Sequence, residues 1–226
     1  MLFALRQPAT LLGLVLGFAA GCWLRATAQN LVKPRLRSVG GRGRFDHALA
    51  PASWLDPFGS VAAVLAGVGW SPRPEITGRD RTRSLWLVVV IAVLAHAVLT
   101  AVGLTAYVGL GGSRALLQYV PTLGVLHGSQ VVVTSNAQRI ALGFGVINLA
   151  CGLLVLLPLP PLELGVALWS ILPRSAGARR LAYRLLEEQW SIVAVLVLLL
   201  LPLAGEQPAL LQLVGGLGDR ILSAIA

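Results

Sequence analysis

The chain has 226 residues, 56% of them hydrophobic and 12% charged, a formal net charge of +9 and a mean hydropathy of +0.79. That composition lies outside the range of soluble globular domains, and with a loop as its longest polar stretch the chain has no room for a separate soluble domain. The basic balance does not indicate nucleic acid, because the arginines lie between hydrophobic runs and have no aromatic platforms interleaved with them.

A helix that crosses a hydrocarbon core of about 30 Å needs roughly 20 apolar residues. The first such run is Ala9 to Leu24, "ATLLGLVLGFAAGCWL", short but long enough if extended into Gln7 and Arg25. A basic loop follows, with Arg25, Lys33, Arg35, Arg37, Arg42 and Arg44. The "FAAGC" before Trp23 also fits a lipoprotein signal ending at Cys22. Cleavage there would put the loop from Arg25 to Arg44 on the outer side, against the charge rule, and Ala19 stands where a larger aliphatic residue is usual.

Asp56 to Trp70, "DPFGSVAAVLAGVGW", offers only about a dozen apolar residues, too few to span, and reads as a re-entrant or interfacial hairpin. Asp56 suits its N-cap and Pro57 its first helical position. A second basic loop carries Arg73, Arg79, Arg81 and Arg83, and the clearest span follows, Leu85 to Leu110. The Gly-rich segment from Gly111 to Gln138 contains a possible short strand, "SQVVVTS". Next come a span from Ile140 to Leu157, a break at Pro158, Pro160 and Pro161, and a short helix to Leu172. A third basic loop holds Arg174, Arg179, Arg180 and Arg184, a last span covers Trp190 to Ala204, and a weakly amphipathic tail places Leu210, Leu213, Val214, Leu217, Ile221 and Ile225 at helical spacing.

The expected architecture is therefore an all-α polytopic membrane protein. It has about four transmembrane helices, a re-entrant or interfacial segment at Asp56–Trp70, and a helix broken at Pro158–Pro161. One domain covers 1–204 and a short tail 205–226. If Asp56–Trp70 does not cross, the three basic loops share one side and hold fourteen of the eighteen basic residues, leaving Arg6, Arg114, Arg139 and Arg220 on the other. The positive-inside rule then places the amino terminus outside and the basic loops in the cytoplasm, as in a bacterial cytoplasmic membrane. Those arginines would also attract anionic lipid head groups.

Several pieces together resemble the site-2 protease family, the intramembrane zinc metalloproteases. They are "LDPFG" (Leu55 to Gly59), "GWSPRP" (Gly69 to Pro74), "INL" (Ile147 to Leu149, including Asn148), "LLPLPPLELG" (Leu156 to Gly165) and "LLEEQWSIVAVLVLLLL". The likeness runs from about the first span to Leu203. In that family two histidines of HExxH and the aspartate of LDG hold zinc, while the HExxH glutamate activates the bound water. Here "GFAAGCW" stands in place of a form such as HEFAHAW. Gly17 and Gly21 occupy the histidine places, Phe18 the glutamate place, and Glu163 the aspartate place. Val155 replaces the asparagine of NLLP, and "LAHAVLT" replaces LAGPLSN, so His96 stands for glycine and Thr100 for asparagine. Asp56, Pro57, Gly59, Asn148, Pro158, Pro160 and Pro161 keep the structural parts of the motifs.

The resemblance thus implies the scaffold without the catalytic set: a non-catalytic membrane protein that binds lipids and a transmembrane segment of a partner, with no cofactor. Close helix approach would use Gly13, Gly17, Ala20 and Gly21. An active zinc endopeptidase with rearranged ligands is the main alternative, and a small transporter or channel subunit the second. Glu163 and His96, with Cys22 or Cys151, are weak candidate metal ligands, since they come from separate elements without a paired short spacing. The reading preferred over metal binding pairs His96 with Glu163. His47 in the first basic loop reads as a solvated side chain, and the two cysteines as small apolar packing residues.

Overall fold

The computed structural model describes residues 1–32, 54–72, 81–128, 135–171, 175, 177, 180–181, 183–187, 190–202 and 207–226. Within them the chain is helical and has no strand. After a 3-10 turn at Leu2–Arg6 come α1 (Pro8–Val32), α2 (Pro57–Ala66), α3 (Arg81–Gly109), a 3-10 turn at Arg114–Tyr119, α4 (Thr122–Leu126) and α5 (Asn136–Val155). Then follow α6 (Glu163–Trp169), a π-helical turn at Tyr183–Glu187, α7 (Trp190–Leu200) and α8 (Ala209–Ile225). The possible strand over "SQVVVTS" and most residues of the basic loops, His47 among them, lie outside the described residues.

Among the described residues, three helices are long and apolar enough to cross a membrane: Pro8–Gln29, Thr82–Gly109 and Asn136–Val155. The fourth expected span is helical only over Trp190–Leu200, roughly 16 Å at 1.5 Å per residue, about half a hydrocarbon core. α1 runs beyond the expected end at Leu24, because "RATAQNLV" contains no helix breaker and the next proline is Pro34. Arg25, assigned from the sequence to the first basic loop, therefore lies inside a helix.

Small residues set how the long helices pack. A Cβ on Gly13 would run into the Ile140 carbonyl, one on Gly17 into Phe144 and Ile147, and one on Gly21 into Asn148. The two registers climb together, so α1 and α5 run in the same direction. Gly103 meets Gly145 and Gly152 meets His96, a register that falls as α5 rises, so α3 is antiparallel to α5. The glycine face of α1 that the sequence offered to a partner is filled by α5 of the same chain. The outward faces carry Leu12, Val15, Leu16 and Trp23 on α1 and Leu87, Val90, Leu94, Val98 and Val102 on α3, all exposed.

α2 begins at Asp56, whose Oδ1 accepts from the Gly59 backbone N–H at 2.7 Å, with Pro57 in the first turn. It ends at Gly67, where φ is +85°, a conformation that favours glycine. The chain then returns in extended form beside α2, with Gly59 and Gly69 so close that neither admits a side chain. At the far end of α2 the Met1 amino group donates to Ala63 O (3.0 Å) and Val64 O (2.6 Å). Asp56→Ala is expected to remove about 1 kcal/mol of stability, read as a lower unfolding midpoint in detergent.

α5 starts with a capping box: Ser135 Oγ accepts from Gln138 N at 3.2 Å, and Gln138 Oε1 accepts from Ser135 N at 3.3 Å. It stops before Pro158, and the Pro160–Pro161 bond is cis. Gly165 packs on the Leu159–Pro160 backbone, which folds α6 back toward α3. The tail forms α8, but its buried face is Leu210, Leu211, Val214, Gly215, Gly218 and Leu222. Leu213, Leu217, Ile221 and Ile225 of the expected stripe are exposed. Gly215 and Gly218 let α8 approach Leu123 and Thr122 closely, and Asp219 Oδ1 accepts from Thr122 N at 2.7 Å.

Candidate functional site

Six buried polar side chains, Arg25, Ser71, His96, Thr100, Asn148 and Glu163, gather where α1, α3 and α5 meet the α2 return segment and the proline break. Asn148 is the hub. Its Nδ2 donates to Gly17 O on α1 (3.0 Å) and to Phe144 O on its own helix (2.9 Å), and its Oδ1 faces His96 Nδ1 on α3 at 3.0 Å. Two carbonyl acceptors fix which end of the amide is NH₂. The oxygen can only accept, so the His96 Nδ1 carries the hydrogen of this bond. Thr100, one turn along α3, donates to the His96 carbonyl at 2.8 Å.

Next to this cluster lies an ion pair between Arg25 and Glu163, with side chains 2% and 4% exposed. Arg25 Nη2 also donates to Pro72 O at 3.3 Å, so one guanidinium ties α1 to the return segment and to the start of α6. The expected pairing of His96 with Glu163 is not what forms: Glu163 takes Arg25 and His96 takes Asn148. The physical reason is charge. A buried carboxylate is matched better by a permanent cation than by an imidazole, which must take up a proton to serve. Both residues still border the same small cavity, together with Phe18, Cys22 and Cys151. The Cys22 and Cys151 thiols line this cavity beside Ser71 and Gly69. Both cysteines are free.

The structure thus brings Gly17, Phe18, Gly21, His96, Asn148 and Glu163 to one place, and leaves Asp56, Pro57 and Gly59 to shape the α2 hairpin around it. His127 lies apart, at the end of α4.

The chain matches no family model, no curated protein and no solved structure.

The zinc that the resemblance to site-2 proteases implies can be tested against these side chains. A catalytic zinc needs three nitrogen, oxygen or sulfur donors and an open position. Gly17 and Gly21 donate nothing, and their backbone leaves no space for a ligand side chain. A Cβ at Gly17 would lie 2.5 Å from Ile147 Cγ2, and one at Gly21 would lie 2.5 Å from Asn148 Oδ1 and 2.8 Å from His96 Cε1. The Glu163 carboxylate is engaged by a guanidinium, whose charge repels a second cation. No group of three His, Cys, Asp or Glu side chains able to hold a metal ion occurs among the described residues. The residues present do not fit zinc.

Arg25 is the side chain of this cluster that the sequence reading did not pair with Glu163, and a signal for it existed. Phe18, Cys22 and Arg25 stand at i, i+4 and i+7 on α1, one face of a helix. A carboxylate beside an apolar span requires a counter-charge, and the arginine on the motif-bearing face was available to supply it.

Proposed function

We propose that this protein is an integral membrane protein of site-2 protease type that has lost its metal chemistry and acts by binding, not by peptide hydrolysis. The observation that carries this reading is the Arg25–Glu163 pair. The position corresponding to the family's third ligand is occupied by a carboxylate already neutralised by a fixed cation, and the two histidine positions are glycines closed over by α5. Further support comes from how motif positions meet: Phe18 on α1 lines the same cavity as Glu163 after the proline break. We place α7 and α2 in the membrane with the three long helices, α7 as a fourth, short crossing and α2 as a re-entrant hairpin, with the amino terminus outside a bacterial cytoplasmic membrane.

What such a scaffold can bind is limited by space. The cavity beside Glu163 leaves about 10 Å³ to the centre of a water-sized sphere, room for about one water. A partner transmembrane segment therefore seats on the outward apolar faces of α1 or α3, and not in the interior.

Metal analysis of the chain purified in mild detergent without chelator tests this reading. The expected result is folded protein without stoichiometric zinc, and no cleavage of membrane-embedded peptides. Bound zinc that disappears in Glu163→Ala would overturn the reading and favour the peptidase. Solute flux through liposomes would favour a transporter subunit.

A further inference from the structure

The ion pair leaves polar atoms unused. Arg25 Nε, Glu163 Oε2 and Ser71 Oγ are each buried without a hydrogen-bond partner. Their residues are 2%, 6% and 5% exposed, and all three border the same cavity. Buried polar atoms are nearly always satisfied by protein or by ordered water, so this cluster points to something that occupies the space between them.

The chemistry of the three atoms narrows what that is. A guanidinium N–H can only donate, a carboxylate oxygen can only accept, and a hydroxyl does both. An occupant that accepts from Arg25 Nε and donates to Glu163 Oε2 has to be donor and acceptor at once. A halide cannot donate to the carboxylate, and a metal cation would face the guanidinium charge. The free space, about 10 Å³ to the centre of a water-sized sphere, admits one water and nothing larger.

We propose that a single bound water bridges Arg25 Nε, Ser71 Oγ and Glu163 Oε2. Three hydrogen bonds is the usual complement of a buried water. The water completes the ion pair, and it gives Ser71 of the "GWSPRP" turn a defined role as the third point of the site. The inference rests on side-chain chemistry and cavity size, and stands whether or not the chain is of site-2 protease type.

The test uses the full chain with ¹⁵N-labelled arginine in lipid bilayers, and solid-state NMR in which magnetisation starts on water. The Arg25 Nε resonance is assigned by its loss in R25K. In the wild type that resonance is expected to receive magnetisation from water at short mixing times. The transfer weakens in S71A, which removes one of the three anchors, and is lost in S71V, whose methyl groups fill the space. No transfer in the wild type, or equal transfer in S71A, would overturn the proposal. A wild-type structure fine enough to show single waters gives an independent reading that needs no variant. A peak within hydrogen-bond distance of all three atoms is expected there, and empty density among them, or a peak held by Glu163 alone, refutes the water.

Discussion

Arg25→Ala is expected to destabilise the protein by about 3–5 kcal/mol, the usual cost of stripping one partner from a buried ion pair. Both side chains of the pair are almost fully enclosed, at 2% and 4% exposure, so solvent screening does little to soften the loss. The cost comes mainly from Glu163, left as a buried carboxylate without its counter-charge among Phe18, Leu154 and Leu162. Glu163→Ala strands the guanidinium instead and is expected to fall in the same range.

The double variant separates this account from a simple loss of packing. Replacing both charges by apolar groups of similar size, as in Arg25→Met with Glu163→Leu, removes the desolvation problem along with the attraction. Such replacements are often neutral or stabilising. Unfolding in lipid nanodiscs should therefore place the double variant near the wild type and well above either single variant. If the double variant loses as much as the sum of the singles, the two side chains do not form a coupled pair. The Pro72 carbonyl loses its donor in every Arg25 variant, so the comparison with Glu163→Ala also separates the contribution of that hydrogen bond.

Much of the fold could be read from the sequence because hydrophobic length and proline position are local signals. The runs around Leu85–Leu110 and Ile140–Leu157 became α3 and α5 with ends shifted by a few residues. "LDPFG" announced a capped helix start, and the proline cluster announced the end of α5. Signals that depend on three-dimensional neighbours were read less well. Arg25 belonged by composition to a basic loop, yet it is drawn inside because Glu163, 138 positions further on, needs a cation. The glycines of α1 were correctly read as a surface for close helix approach, but periodicity cannot say which helix approaches; α5 of the same chain does. In the tail, Gly215 and Gly218 rotated the buried face of α8 away from the leucine stripe. An apolar stripe marks where side chains are large, whereas packing also selects where they are absent. Asn148, read as a fragment of a motif, became the hub because its amide can donate and accept at once.

Gly21→Ala is expected to cost about 1–3 kcal/mol net, even though alanine is the better helix former by up to ~1 kcal/mol. The added methyl would sit 2.5 Å from Asn148 Oδ1 and 2.8 Å from His96 Cε1, inside any tolerable contact, so one of them has to move. Neither moves freely. Asn148 is held by Gly17, Phe144 and His96, and shifting it breaks a buried hydrogen bond worth about 1 kcal/mol on top of an overpacking cost of about 1–3 kcal/mol. Gly216→Ala on α8 is the matched control. Nothing lies within 4 Å of a Cβ there, so that variant should be neutral or slightly stabilising by the helix-propensity difference. If both variants unfold at the wild-type midpoint, α1 and α5 are not in the close register described. The same geometry governs the most direct attempt to build a metal site at these positions. Histidines at Gly17 and Gly21 would supply two nitrogen donors on paper, but their side chains would have to pass through Ile147, Phe144 and Asn148. The double histidine variant is therefore expected to lose its fold before it gains zinc, which thermal unfolding and metal content measured on the same sample would establish together. Building a metal site here would require α5 to withdraw from α1 as well, so the glycines that admit α5 and the absence of side-chain donors at these two positions belong to one packing arrangement.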